Sequence, residues 1–79
     1  MKAYGYAKRT IADKGLLEMR EVTFTGSSSS IREIARFLMA AADEMEKHQG
    51  RFDHAHIGEV CESWLDEWPD IIVARSGQT

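Results

Sequence analysis

Apolar residues recur at helical spacing through the middle of the chain. Ile31, Ile34, Ala35, Leu38, Ala41, Ala42 and Met45 follow the i, i+3, i+4, i+7 rule over about four turns, with Arg32, Arg36, Asp43 and Glu46 off that stripe. The serine run before them ends in Ser30-Ile-Arg-Glu33, the order of a capping box, so the serines start a helix rather than form a linker. Lys47 and His48 suit its negative end, and Gly50 is placed to stop it. The spacing predicts a long helix over Ser30–His48 whose Ile31, Ile34, Leu38 and Met45 face is buried.

On either side the pattern changes to alternation. YGYAKRT (4–10) sets Tyr4, Tyr6, Lys8 and Thr10 against Gly5, Ala7 and Arg9, the pattern of a modest strand. ADKG (12–15) is a turn signal in which Gly15 would take positive φ. LLEMREVTFTG is a stronger strand, but its phase slips: Leu17 and Met19 share one face, Val22 and Phe24 the other, which calls for a bulge near Arg20 or Glu21. Downstream, RFDHAHI (51–57) alternates again, and PDIIVAR (69–75) reads as a strand buried mid-sheet. Between them Val60, Cys61, Trp64, Leu65 and Trp68 lie at helical spacing, enough for one or two turns. The expected fold is α+β in the order β-β-α-β-(short α)-β, a four-stranded, mainly antiparallel sheet with one long helix across one face. One sheet face is left uncovered.

Composition narrows the functional classes. Seventy-nine residues, 1–79, make one small domain with residues 1–3 and 76–79 expected to fray, and there is little room for an enclosed active-site cavity. A net charge of −3 and a pI near 5.5 exclude a sequence-independent hold on nucleic acid. The charge is uneven: residues 1–20 carry five Lys or Arg against two acids, residues 21–79 five against eleven. No window approaches a membrane span, MKAYGYAKRT has no apolar core of a secretory signal, and one cysteine, Cys61, forms no internal disulfide. A cytoplasmic protein that touches no membrane is expected.

The candidate chemistry is concentrated in RFDHAHIGEVCESWLDEW (51–68). His54 and His56 share a strand face about 6.6 Å apart and could grip one metal ion with Cys61 as a third ligand. The paired spacings that mark zinc sites are missing, so no metal and no cofactor is expected. For acid–base work, His54 could act with Asp53 or Glu59, yet Asp53 and His54, as strand neighbours, should point to opposite faces. Cys61 lacks the marks of a nucleophile and reads as a buried, inert thiol, and Gly26 with its serines lacks the lysine of a phosphate loop. No catalytic residue is assigned. What stands out is tryptophan among acids, a composition found at interfaces. His54, His56, Glu59, Glu62, Trp64, Asp66 and Glu67 are therefore the expected partner-binding residues, with Trp64 the contact ring and Trp68 the core ring.

The LLEMREVTFTGS strand, the SIREIARFLMAAADEME helix, the Phe52-Asp-His54-Ala-His56 strand and the closing Trp68-Pro69-Asp70-Ile-Ile-Val run resemble the immunity protein 32 family of bacterial polymorphic-toxin systems over residues 16–75. The family's F-x-H-x-H and P-D-[IL]-[IV]-V motifs fall on Phe52, His54, His56, Pro69 and Asp70, with Trp68 just before them. The resemblance implies a non-enzymatic inhibitor that binds and blocks a cognate toxin domain. An acidic surface suits a basic toxin, since such charge complementarity speeds association. Two rivals remain: a small structural or regulatory homodimer pairing its uncovered sheet faces or edges, and a metal-binding protein using the D-H-A-H strand.

Overall fold

A computed structural model describes residues 1–11 and 15–76 of the chain. The order of elements is β1 (Lys2–Ile11), β2 (Leu16–Thr25), α1 (Ser28–Lys47), β3 (His54–His56), α2 (Ile57–Val60) and β4 (Ile72–Ala74). This is a mixed α+β arrangement with one main helix. The four strands do not form one sheet, however: β1 pairs only with β2 and β3 only with β4, both antiparallel. No helix among the described residues is long and apolar enough to cross a membrane.

The first hairpin keeps the slip read from its pattern. Tyr6 faces Glu21 and Ala7 faces Met19, so Arg20 is the extra residue on β2, and a second irregularity at Lys8 follows on β1. Gly15 has φ +67, the left-handed backbone expected of it; the rest of the ADKG turn lies outside the described residues. Gly5 is required for a different reason: a Cβ there would collide with Met19 Cε and Glu21 O. β1 already begins at Lys2, inside the stretch expected to fray.

Helix α1 begins one turn's fraction earlier than the capping box implied. Ser27, not Ser30, is the N-cap: its Oγ accepts from Ser30 N at 3.2 Å. Ser30 can move inside the helix because its hydroxyl donates to Ser27 O at 3.0 Å, which satisfies it where it is buried. At the other end His48 is the C-cap and its N–H donates to Glu44 O, so the helix stops before Gly50, the residue placed to stop it.

The buried face of α1 is turned from the expected one. Ser30, Ile34, Phe37 and Ala41 are buried, whereas Ile31 is 39% and Leu38 45% exposed and Met45 half-buried. The core gathers Ile34, Phe37, Ile57, Cys61 and Trp64, with Met1, Ala55, Trp68, Ile71 and Val73 packed around it. It lies between α1 and the β3–α2–β4 segment.

That segment is shorter in strand than the alternation implied. Ile57 leaves the expected 51–57 strand to start α2, because Glu59 Oε1 accepts from His56 N at 3.0 Å and caps a helical turn there. β4 is likewise confined to Ile72–Ala74 and pairs on one side only, so it is not a central strand. Arg75 ties this small sheet to the helix. Its Nε donates to Phe52 O at 3.1 Å and its terminal nitrogen to Met45 O at 3.0 Å, one of the carbonyls the last turn of α1 leaves open. Hydrogen bonds from a charged donor contribute about 1.5–3 kcal/mol when buried, and Arg75 is half-buried, so Arg75→Ala should destabilise by about 1–3 kcal/mol. Urea unfolding checks this, and Arg75→Lys, with one donor head instead of a fork, should recover only part of the loss.

Candidate functional site

Two histidine–carboxylate pairs mark the site. On β3 the side chains of His54 and His56 share a face, and their rings meet edge-on with centroids 5.1 Å apart. His56 Nδ1 donates to Asp70 Oδ2 at 2.6 Å, and His54 Nδ1 to Asp53 Oδ2 at 2.7 Å. The second pair corrects the expectation that Asp53 and His54 diverge: β3 begins at His54, so Asp53 is not under strand alternation. A carboxylate can only accept, which places the hydrogen on Nδ1 of each ring and leaves Nε2 turned to other partners. Such carboxylate-held imidazoles resemble metal ligands with their supporting acids. Two ligands fall short of the three or four a zinc site uses, and among the described residues no group of three or more His, Cys, Asp or Glu is placed to hold a metal ion.

Cys61 is part of the core. Its thiol donates weakly to Glu33 O at 3.8 Å, and burial, reinforced by Glu33, pushes its pKa up. A nucleophilic cysteine needs the opposite shift. In native protein Cys61 should therefore react with a thiol reagent far more slowly than in denatured protein. The sign of the pH effect follows: with the folded value raised, its contribution to stability is complete below the ordinary thiol range and lost as pH rises through the raised value. A Cys61→Ala variant should lack that alkaline loss, which unfolding midpoints measured across pH would show.

Trp64 does not have the exposure expected of a contact ring. Trp64 is 7% exposed, and its indole N–H donates to Pro69 O at 3.0 Å, so it is a core ring with its one polar atom satisfied. Trp68 stands edge-on to it at 4.9 Å between centroids and is half-buried. It borders two surface depressions. One, of about 300 Å³, is lined by His56, Gly58, Glu59, Trp64, Leu65, Asp66, Trp68 and Asp70. The other lies against the base of the hairpin, between Met1–Tyr4 and Glu67–Pro69.

The first depression brings together much of what the acidic run offered. His56, Glu59 and Asp66 line it, Asp70 joins them through its bond to His56, and among the described residues no lysine or arginine does. Glu62 and Glu67 are exposed on the same run but outside the lining, and His54 lies one ring away through His56. Asp70 was not singled out among the expected contacts, although it closes the acidic 59–70 segment and falls in the P-D-I-I-V motif. Chemically the depression is a small anionic cup with an indole wall, suited to a cationic group such as a guanidinium or ammonium.

Comparison with curated proteins and with solved structures gives no match. A family model does match, over most of the chain and all of the core just described. Residues 21–76 fit the family described as Immunity protein 32, and the chain belongs to that family.

Proposed function

We propose that the protein is a non-enzymatic, cytoplasmic immunity protein of a bacterium that binds a cognate toxin domain and blocks it, using the acidic cup around Trp68. Membership of the family supports the role, and the cup carries the choice of surface: three carboxylates, one imidazole and two indoles, with no lysine or arginine of the described residues in the lining. A basic toxin domain could insert an arginine or lysine there. The charges would steer the encounter, and the Trp68 ring would cover the cation's apolar stem. His56 contributes from within the cup, and Glu62, Glu67 and His54 extend the contact at the rim. Trp68 replaces Trp64 as the contact ring, since Trp64 is committed to the core.

The test is kinetic, with the toxin domain encoded beside the gene as partner. Glu62 and Asp66 are exposed, and neither side chain makes a hydrogen bond or ion pair among the described residues. Reversing both, Glu62→Lys with Asp66→Lys, should leave stability nearly unchanged. The association rate should fall by about an order of magnitude or more at low salt and converge on the wild-type rate at high salt. Equal rates at low salt would place the contact elsewhere.

A further inference from the structure

We propose that the β1–β2 hairpin is a dimerisation arm whose apolar face docks on the exposed apolar stripe of α1 in a second copy of this chain. The surface lies outside the lining of the acidic cup, so the inference stands or falls separately from the toxin-binding reading.

The hairpin is nearly bare in the single chain. Of the ten residues of β2 only Glu18 is even half-buried, and Val22 is 53% exposed. Its register puts small residues of β1 beside large ones of β2 on one face: Ala3 faces Phe24, Gly5 faces Val22 and Ala7 faces Met19. The other face carries Tyr4 opposite Thr23 and Tyr6 opposite Glu21. The first is a smooth apolar face on which Met19, Val22 and Phe24 are all exposed. A two-stranded hairpin is marginal in water without a layer to cover it.

Helix α1 offers the missing layer. At 100° per residue, the exposed Ile31, Ala35, Leu38 and Ala42 centre about 100° around the helix from the buried Ser30, Ile34, Phe37 and Ala41. Its arc of buried and apolar positions is therefore about 160° wide, more than the ~100° that packing on one side requires. A helix of this kind is covered on two sides. Only one side is covered within the chain.

The area agrees. The chain exposes 6347 Å², against about 4,800 Å² for a compact monomer of its mass. Its radius of gyration is 13.7 Å, against about 12 Å for a compact chain of its length. The excess of roughly 1,500 Å² falls in the range one partner buries in an obligate dimer, about 1,000–2,500 Å². Arm on helix and helix on arm is a reciprocal contact that a two-fold axis closes, leaving no open end to propagate. Charge favours it too: Lys2, Lys8, Arg9 and Arg20 outnumber the acids of the hairpin strands, and Asp43, Glu44 and Glu46 make the C-terminal half of α1 acidic.

Sedimentation equilibrium on the full chain tests this. The wild type should weigh twice 8.9 kDa at micromolar concentration. Val22→Lys and Leu38→Glu should each give the monomer mass, and both in one chain should restore the dimer by pairing lysine with glutamate across each contact. Thr23→Lys, on the opposite face of the hairpin, should remain dimeric. A wild type that stays monomeric up to millimolar concentration overturns the proposal. So does a dimer indifferent to Val22→Lys, which would not use this face, or to Leu38→Glu, which would join through hairpin edges alone.

Discussion

Phe37→Ala should leave the protein largely unfolded under conditions where the wild type is folded. Phe37 is fully buried at the meeting point of α1 with Ile57, Cys61 and Trp64, and it is the largest side chain in the core with no exposed surface. Emptying such a site costs about 3–5 kcal/mol, from lost transfer energy and the cavity left behind. A chain of this length has roughly 4–12 kcal/mol in total. Few core residues share the load, so neighbours have little freedom to close the gap. Leu38→Ala, one position along, should cost the fold far less because Leu38 is exposed in the single chain. Thermal unfolding of the two variants in a Val22→Lys background, where the dimer contact is removed, checks the assignment, and equal losses there would mean that α1 is rotated from the face described.

Trp68→Ala should weaken binding to the toxin domain by about 2–4 kcal/mol, roughly 30- to 1,000-fold in Kd. The ring is half-buried between two depressions, held edge-on by Trp64, and presents a rigid apolar surface ringed by acids. A preset ring of this kind loses little freedom on binding, which is why such residues dominate interfaces. The loss should appear mainly in dissociation, whereas the charge reversals act on association. Trp64→Ala provides the contrast. It removes a core ring and leaves Pro69 O without its donor, so it should lower the unfolding temperature whether or not the toxin is present. Similar binding by wild type and Trp68→Ala would remove the cup from the interface.

Helix α1 was legible in the sequence because period, cap chemistry and length agreed, and its ends fall within two residues of expectation. Its buried face was not. An apolar arc of about 160° contains two candidate stripes, and periodicity cannot choose between them; the choice left out Phe37, the central core residue. The Arg20 bulge was legible because a phase slip in alternation has few physical causes. Sheet assembly was not, since strand pattern says that a segment extends and nothing about which strand it joins. β3 lost Ile57 to α2 because a local cap from Glu59 outweighed a short alternation. The acidic run stood out by composition, but the burial of Trp64 did not: Trp64 lies where its N–H reaches Pro69 O, a contact no spacing rule announces. Arg75 gave no sign beforehand, because its partners are backbone carbonyls brought together only by folding.

Inhibition of the toxin decides whether the acidic cup is the working surface. The activity of the toxin domain encoded beside the gene would be titrated with wild-type protein and with a variant carrying Asp66→Lys and Trp68→Ala, after far-UV circular dichroism has confirmed that the variant is folded. Wild type should abolish the activity at one equivalent per toxin, and the variant should leave most of it at the same ratio. No inhibition by wild type, or inhibition by the variant at the same equivalence point, would contradict the assignment.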